Sequence, residues 1–131
     1  MTPFSGPNDE VALDELPSTD QAALDRLQRF GGGKLLGEMI GLFMEAAPER
    51  IGAARKGLDA GDARATEMAL HSLKSSSAQL GALRMQRLSE QGELIARTGT
   101  LAGVEPLVAG LESEYPAIRT WLELARSAVT P

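Results

Sequence analysis

Apolar side chains recur at spacings of three and four residues along most of the chain, which is the pattern of amphipathic helices. In one segment Ala69, Leu70, Leu73 and Leu80 fall on the same side of a helical wheel. No stretch alternates convincingly between apolar and polar residues with a period of two, as a half-buried strand would. The pattern therefore predicts an all-α protein.

Glycine, proline and capping residues divide this pattern into six helical segments. Ser18 and Gln21 have the spacing of a capping box and predict the start of the first, short helix, which carries Leu24, Leu27 and Phe30 on one face. The later boundaries are expected at residues 31–33, at Pro48 in the first turn of a third helix, at residues 60–61, at Gly81 and at residues 98–100, and Pro116 should kink or split the last helix. These segments predict an up-and-down four-helix bundle with additional short N-terminal helices.

The composition is that of one domain with an aliphatic core. The chain has 131 residues, of which 43% are hydrophobic but only 4% aromatic, so Leu, Ala, Met, Ile and Val must fill the interior. Cysteine is absent, which excludes disulfides and Cys-based zinc sites. No apolar run approaches the roughly 20 residues of a membrane span, and the first residues lack the layout of a signal peptide. We therefore expect a cytoplasmic protein without a membrane partner.

The net charge of −5 has a local origin. The charged side chains before residue 21 are all acidic: Asp9, Glu10, Asp14, Glu15 and Asp20. The other 13 acidic residues balance the 13 basic ones. Residues 1–18, rich in proline and glycine, are thus predicted to be a flexible acidic tail, and residues 19–128 the helical domain. Without a basic stripe, nucleic acid is not an expected partner.

Two other kinds of site are disfavoured by the sequence. Lys34 follows a glycine run, but a phosphate-binding loop also requires glycine at position 28 and Ser or Thr at position 35, where Gln28 and Leu35 stand. A single histidine among scattered carboxylates does not form the ligand cluster of a zinc site. We expect neither a bound nucleotide nor a bound metal.

His71, the single histidine, points away from the apolar stripe of its helix on the wheel. Its own face carries only small or charged neighbours: Arg64, Glu67, Lys74, Ser75 and Ala78. A solvated histidine is the usual interpretation of such a position. However, the three serines at 75–77 are poor helix formers, so their presence favours a flat surface around the ring over helix propensity. Lys74 also places an ammonium close to the ring.

An exposed imidazole on a flat surface suits reversible phosphorylation. Neutral imidazole is a good nucleophile near pH 7, and the phosphoramidate that it forms is labile enough to pass phosphate onward to a carboxylate. Phosphoryl transfer requires in-line approach and neutralisation of charge, so a partner with Mg²⁺ and an aspartate pocket must come close to the ring. Bulky neighbours would prevent that approach.

Residues 71–82, HSLKSSSAQLGA, resemble the signature of histidine-containing phosphotransfer (HPt) domains: histidine, any residue, leucine, lysine, three small residues, and then leucine-glycine. The resemblance covers roughly residues 20–125 and includes the segments 24–30, 32–43 and 58–62. It implies a helical bundle whose histidine receives phosphate from one response-regulator receiver domain and passes it to another. Such domains neither hydrolyse ATP nor phosphorylate themselves.

The resemblance assigns roles residue by residue. His71 matches the phosphorylated histidine, and Lys74 matches the lysine near the phosphoryl group. Ser75 matches the small residue, most often glycine, that keeps the ring accessible. Glu93 occupies a position on the next helix that can lie near the histidine, where some relatives carry glutamine. We expect the surface that docks a partner to include Arg64, Glu67, Ala78 and Glu93.

The expected protein is therefore a monomeric carrier in a multistep phosphorelay, with no cofactor of its own and with Mg²⁺ supplied by the partner receiver domain. A hybrid sensor histidine kinase is one candidate source of such a receiver. The alternative class is a non-catalytic helical adaptor with an incidental histidine, and labelling by a phosphorylated receiver domain separates the two. A dimerisation domain of a kinase is disfavoured, because no long helical hairpin followed by an ATP-binding domain is present.

Overall fold

The computed structural model describes residues 16–129, which form α1 (Gln21–Asp59), α2 (Ala63–Leu80), α3 (Leu83–Arg97) and α4 (Glu105–Val129). Each helix packs against two others, in the pairs α1–α2, α2–α3, α3–α4 and α4–α1. Short connections join consecutive helices, as in an up-and-down bundle. The predicted all-α four-helix bundle is confirmed. Among these four helices, none combines the length and the apolar character needed to cross a bilayer.

The core lies between the four helices and is mainly aliphatic, as the composition predicts. Every helix contributes large side chains that are almost completely buried: Leu24, Ile40, Leu70, Leu73, Leu80, Met85, Val108, Leu111, Ile118 and Leu122. Phe43 adds one aromatic ring, whose centroid lies 6.3 Å from that of Tyr115. The burial of these apolar side chains is the main driving force for the packing of the helices.

The helix boundaries predicted in the first half of the chain are wrong in detail, because three predicted segments form the single helix α1. Among its residues only Gly32 leaves the helical conformation, with φ 77° and ψ −177°, and it produces a kink rather than a loop. Pro48 does not start a helix but lies inside α1. Its missing N–H leaves the carbonyl of Met44 without its usual partner, and the hydroxyl of Tyr115 donates to that oxygen at 3.4 Å. A hydrogen bond from α4 thus satisfies the carbonyl that Pro48 leaves without a partner, and α1 continues across the proline.

Pro116 likewise does not split α4, which continues from Glu105 to Val129. The predicted capping box is also wrong. The N-cap of α1 is Asp20, whose carboxylate accepts from the N–H of Ala22 at 3.1 Å. Ser18 instead donates its hydroxyl to the carboxylate of Glu114 on α4.

The short segment before α1 crosses the connection between α2 and α3. The carbonyl of Ser18 accepts from the N–H of Leu83 at 3.0 Å, and the N–H of Asp20 donates to the carbonyl of Gly81 at 2.8 Å. The carbonyl of Leu16 accepts from Arg84 at 2.7 Å. Residues 16–18 were included in the predicted tail but are bonded to the bundle. The rest of that tail, residues 1–15, lies outside the described residues.

Helix α2 has the bounds that the sequence predicts. The carboxylate of Asp62 caps its N-terminus by accepting from the N–H of Ala65 at 3.0 Å. Gly81 ends it in the left-handed conformation, with φ 76°, and an added Cβ there would lie 2.5 Å from the carbonyl oxygen of Asp20. These caps set the ends of α2, and the apolar side chains between them form its buried face where the pattern places it.

Candidate functional site

His71 lies near the middle of α2 and projects away from the core. The buried residues of the helix are Thr66, Ala69, Leu70, Leu73, Ser77 and Leu80. The side chain of His71 is 61% exposed. The predicted orientation of the ring is therefore confirmed, and the imidazole is accessible to another molecule.

The three consecutive serines at 75–77 have different environments. Ser75 is exposed one turn after the ring, and Ala78 is exposed one turn further on. Ser76 is half-buried, and its hydroxyl bonds back to the carbonyl of Ser72 at 3.0 Å. Ser77 is completely buried. The expected low surface beside His71 is therefore formed by Ser75 and Ala78, and Ser77 belongs to the packing of the bundle.

Glu93 on α3 contacts the ring from behind. Its side chain is only 2% exposed, and its Oε2 lies 2.6 Å from Nδ1 of His71. The neighbouring Gly92 explains how α3 comes so close to α2, because an added Cβ at this position would lie 2.6 Å from Cδ1 of Leu70. The expectation that Glu93 lies near the histidine is confirmed. Its assignment to the docking surface is wrong, because a buried side chain offers no surface to a partner.

The buried carboxylate of Glu93 is shared among three donors. Oε1 lies 2.7 Å from Nζ of Lys74, and Oε2 lies 2.8 Å from Nη2 of Arg97 as well as against the ring of His71. A buried carboxylate is tolerated when it is paired in this way. Burial by itself raises the pKa of Glu93, but the hydrogen bonds from Lys74 and His71 outweigh that effect, so its pKa lies below the usual value. Glu93 is therefore ionised at neutral pH.

The ionised carboxylate determines which nitrogen of His71 carries the proton and which one bears the free lone pair. A carboxylate accepts hydrogen bonds and cannot donate them, so Nδ1 carries the proton of the neutral ring. Nε2 then bears the lone pair and lies on the opposite edge of the ring from Glu93. Because the ring is mostly exposed, this nitrogen is the one that an incoming group meets.

Arg97 is the residue of this cluster that the sequence analysis missed. Its Nε lies 3.5 Å from Oε2 of Glu67 on α2, so its guanidinium joins Glu67 to Glu93 across the two helices. The signal in the sequence is weak, because a Glu–Arg pair four residues apart on a helix is common on solvated surfaces. Only the packing of α3 against α2 shows that this pair belongs to the histidine site.

The remaining predicted docking residues lie on the same side of α2 as His71. Arg64 and Ala78 are exposed, and Glu67 is half-buried against Arg97. Two concave regions flank this face. A cavity of about 370 Å³ beside the ring is lined by Glu67, Met68, His71, Ser72, Glu93 and Arg97. A groove of about 610 Å³ beyond Ser75 is lined by Ala23, Arg26, Leu27, Arg29, Phe30, Met39, Ala78 and Gln79.

Phe30 is unexpectedly exposed at the edge of this groove. The sequence pattern places it on the apolar face of the first helical segment, but 87% of its surface is accessible. Leu24 on the same segment is buried, and Gly32, two residues after Phe30, is where the backbone leaves the helical conformation. Within residues 16–129, no three His, Cys, Asp or Glu side chains are grouped as ligands for a metal ion.

The family model of the Hpt domain matches residues 38–126. The chain belongs to the Hpt family. It is similar in structure to histidine-containing phosphotransfer protein B from Pseudomonas aeruginosa, with a TM-score of 0.81 and 26% identity over 87% of this chain and 98% of that one. It also has the fold of the HPT domain of a sensor hybrid histidine kinase from Shewanella, with a TM-score of 0.74 and 18% identity over 87% of this chain and 97% of that one. A search of curated proteins finds no match.

Membership of the Hpt family confirms the function that the resemblance implied. The protein acts in histidine phosphotransfer within a phosphorelay, and it is a carrier module rather than a kinase.

Proposed function

We propose that His71 is the phosphoryl-carrying residue and that it exchanges phosphate with the aspartates of response-regulator receiver domains in a multistep phosphorelay. The observation that carries this proposal is the ring geometry: an exposed imidazole is bonded through Nδ1 to a buried, ionised Glu93, which leaves Nε2 as the accessible nucleophile. His71 is also the single histidine of the chain.

In this proposal Nε2 of His71 attacks the phosphorus of an aspartyl phosphate on the receiver. The N–P bond forms as the bond between phosphorus and the aspartate oxygen breaks, and the aspartate leaves as a carboxylate. The proton on Nδ1 stays in place, so the ring becomes positively charged and Glu93 stabilises it through the 2.6 Å contact. The reverse step returns the phosphoryl group to the aspartate of a second receiver.

Lys74 and Ser75 assist this transfer in different ways. Lys74 lies about one turn from the ring, and its ammonium, which pairs with Glu93, provides positive charge close to the incoming phosphoryl group. Ser75 keeps the surface low where the receiver approaches. Mg²⁺ held by the receiver neutralises further charge on the transferred group. The carrier itself is proposed to need no cofactor and to bind no ATP, and to act as a monomer in the cytoplasm.

The extent of the surface that docks the receiver can be inferred from the usual area of a specific protein interface. Such an interface buries roughly 800 Å² on each partner, which corresponds to a patch extending about 16 Å from its centre. Ala78 points within about 20° of His71 and lies about 10 Å along the helix axis. A receiver centred on His71 therefore covers Ala78 and the adjoining groove, where Phe30 offers an exposed aromatic side chain and Arg26 and Arg29 offer positive charge. Acidic side chains on the receiver surface beside its aspartate pocket would complement that charge.

The direct test is phosphoryl transfer from a labelled receiver domain to the wild-type protein and to H71Q. We expect the wild type to acquire an acid-labile label and H71Q to acquire none. Circular dichroism should show that H71Q keeps its helical content and melting temperature, because the side chain lies outside the core. Labelling of H71Q, or a folded wild type that none of a panel of receivers and no small phosphoramidate donor can label, would contradict the proposal.

A further inference from the structure

Residues 21–31, the N-terminal segment of α1, do not continue the buried stripe of the rest of that helix. From Leu36 to Ala54 the buried residues of α1 are spaced three or four apart and form one stripe. At about 100° per residue, a straight helix would place Leu24 about 140° from the centre of that stripe, on its outer side. Leu24 is only 1% exposed, so the segment must be reoriented relative to the rest of α1. Gly32 is where the backbone makes this change.

The backbone of Gly32 has a conformation that only glycine adopts readily. Its φ of 77° and ψ of −177° lie in a region that L-residues strongly disfavour. Apart from the adjoining chain, nothing would lie within 4 Å of an added Cβ, so packing does not explain the glycine. A D-residue, in contrast, favours this region, because it is the mirror image of the extended region of L-residues. Glycine is therefore needed here for the conformation of the backbone.

The glycines on either side show how closely the chain is packed at this kink. An added Cβ at Gly31 would lie 2.7 Å from the Cβ of Leu35. In a regular helix, Cβ atoms four residues apart are about 5–6 Å from each other, so the kink brings the two parts of α1 unusually close. An added Cβ at Gly33 would lie 3.0 Å from the Cβ of Val129 at the end of α4. The run of three glycines thus allows a sharp kink against which α4 packs.

The N-terminal segment forms one wall of the groove beyond Ser75. The side chains that it contributes are Ala23, Arg26, Leu27, Arg29 and Phe30, and the rest of the lining consists of Met39, Ala78 and Gln79. The start of the segment is fixed to the bundle by the N–H of Asp20, which donates to the carbonyl of Gly81 at 2.8 Å. The direction of this wall is therefore set by that contact at one end and by Gly32 at the other.

The surroundings of the ring are built separately from this wall. The contacts of the ring and its carboxylate come from Lys74 on α2 and from Glu93 and Arg97 on α3. The cavity beside the ring is likewise lined by residues of α2 and α3. Moving the N-terminal segment of α1 would thus change the groove and leave the surroundings of His71 as they are.

Resting on the function proposed above, we propose that Gly32 is a positioning residue for docking of the receiver domain: its backbone conformation sets the orientation of the N-terminal segment, and thereby places Phe30 and its neighbouring arginines on the surface that the receiver contacts. If α1 were straight, Leu24 would be carried out of the core or the whole segment away from the bundle. Either change displaces Phe30 from the edge of the groove. Gly32 thus acts on recognition of the receiver and not on the chemistry at His71.

A positioning role of this kind changes the receiver concentration that transfer requires, and not the rate at saturation. G32A is expected to raise the receiver concentration that gives half-maximal transfer about tenfold, as for loss of an anchoring contact at an interface. The rate at saturating receiver should stay within about twofold of the wild type, because the loss falls on binding alone. Labelling by a small phosphoramidate should not change, since that donor does not use the groove.

The experiment compares G32A with three further variants. Gly52 also has nothing within 4 Å of an added Cβ but lies in the regular part of α1, so G52A is the matched control and should behave as the wild type. Gly61, just after the other end of α1, has the same free space and a φ of 70°. G61A therefore introduces strain away from the groove and should leave the half-maximal concentration unchanged. Gly32→D-Ala, made by ligation of a synthetic N-terminal peptide, favours the kink and should restore the wild-type value.

The outcomes separate this inference from the proposed function. If the wild type accepts no phosphoryl group from any receiver, the proposed function fails and this inference fails with it. If the wild type is labelled but G32A matches G52A, if G61A shows the same loss, or if Gly32→D-Ala does not restore docking, this inference alone is overturned. Should G32A prove unfolded by circular dichroism, G31A replaces it, because a Cβ that crowds Leu35 must open the kink without requiring a positive φ. Weaker docking of G31A then supports the inference, and docking equal to that of G52A overturns it.

Discussion

Two clusters of charged side chains each join a pair of helices in this protein, and they are built in opposite ways. Between α2 and α3 the centre is the buried carboxylate of Glu93, surrounded by donors. Between α1 and α4 the centre is the guanidinium of Arg55, whose contacts with Glu112 are 2.8 and 3.1 Å and whose contact with Glu105 is 2.5 Å. The carboxylates around Arg55 are open to solvent, with the side chain of Glu112 42% exposed and that of Glu105 62% exposed.

The difference in burial gives the two clusters different consequences. Hydrogen bonds to Glu112 and Glu105 raise the pKa of Arg55, and the bond from Arg55 lowers the pKa of Glu112, but both groups are charged at neutral pH without these bonds. Solvent screens such pairs, so they contribute little. Glu93, in contrast, is shielded from water and fixes the proton of an exposed ring. The same residue types therefore only connect helices in one place, whereas in the other they also fix the protonated nitrogen of an exposed imidazole.

Placing a large residue on the face of α2 should have the largest effect on transfer. S75Y is expected to reduce transfer from a phosphorylated receiver by at least about 100-fold, because near-attack geometry tolerates errors of only about 1 Å. Ser75 is exposed, so stability should change by no more than about 0.5 kcal/mol. A small phosphoramidate donor should still label His71. Receiver transfer at the wild-type rate would show that the low surface is not required for docking.

Removing the buried carboxylate of Glu93 should have the next largest effect on transfer. E93A leaves Nδ1 of His71 without its acceptor, and transfer should fall about 10–100-fold, as when an orienting partner of a functional histidine is lost. E93Q retains an oxygen that accepts from Nδ1 and should keep most of the rate. Single-turnover transfer from a receiver measures both variants. Equal rates for E93A and E93Q would show that the bond to Nδ1 does not prepare the ring.

The exposed aromatic side chain of the groove should matter for docking only. F30A is expected to weaken binding of the receiver about tenfold, as for an anchoring residue of an interface, and to leave labelling by phosphoramidate unchanged. L124A, which truncates a side chain that is 68% exposed on α4, is the matched control. Titration calorimetry with an unphosphorylated receiver measures the affinities. Equal affinities for F30A and L124A would place the docking surface elsewhere.

Acidification should lower the stability of the protein in part through Glu93, the buried carboxylate between α2 and α3. The pKa of Glu93 is lowered in the folded protein, so its ionisation stabilises the fold above its unfolded-state pKa of about 4.3. That contribution is lost as the pH falls through the folded-state pKa. Between pH 7 and pH 3 the free energy of unfolding should therefore decrease more for the wild type than for E93Q. Urea unfolding at both values measures the two decreases, and parallel decreases would contradict the lowered pKa.

Removing Arg55, the centre of the cluster between α1 and α4, should have the smallest effect. R55A breaks the contacts between α1 and α4 but leaves its former partners in water, so we expect only a small decrease in melting temperature. The rate of phosphoryl transfer should not change, because Arg55 has no contact with the histidine cluster. A large loss of helical signal, or slower transfer, would mean that this cluster supports the site as well as the bundle.

Local signals were sufficient for α2 and insufficient for α1. In α2 the apolar spacing, Asp62 and Gly81 agree, so its bounds and the exposure of His71 followed from the sequence. In α1 the glycine run and Pro48 are strong breaking signals, yet the helix continues. The hydroxyl that bonds to the Met44 carbonyl comes from Tyr115, 71 residues away along the chain. Such a contact has no signature in the local pattern, and so Pro48 was predicted to lie in the first turn of a new helix.

The sequence by itself determined the face of α2 on which His71 stands, the low side chains at Ser75 and Ala78, and the family to which the chain belongs. These depend on spacing within one helix, where residues three and four apart are neighbours whatever the rest of the chain does. Only the tertiary structure decided that Glu93 is buried behind the ring and that Arg97 joins it to Glu67. Those contacts depend on how closely α3 packs against α2, and that distance is set by the side chains of both helices together.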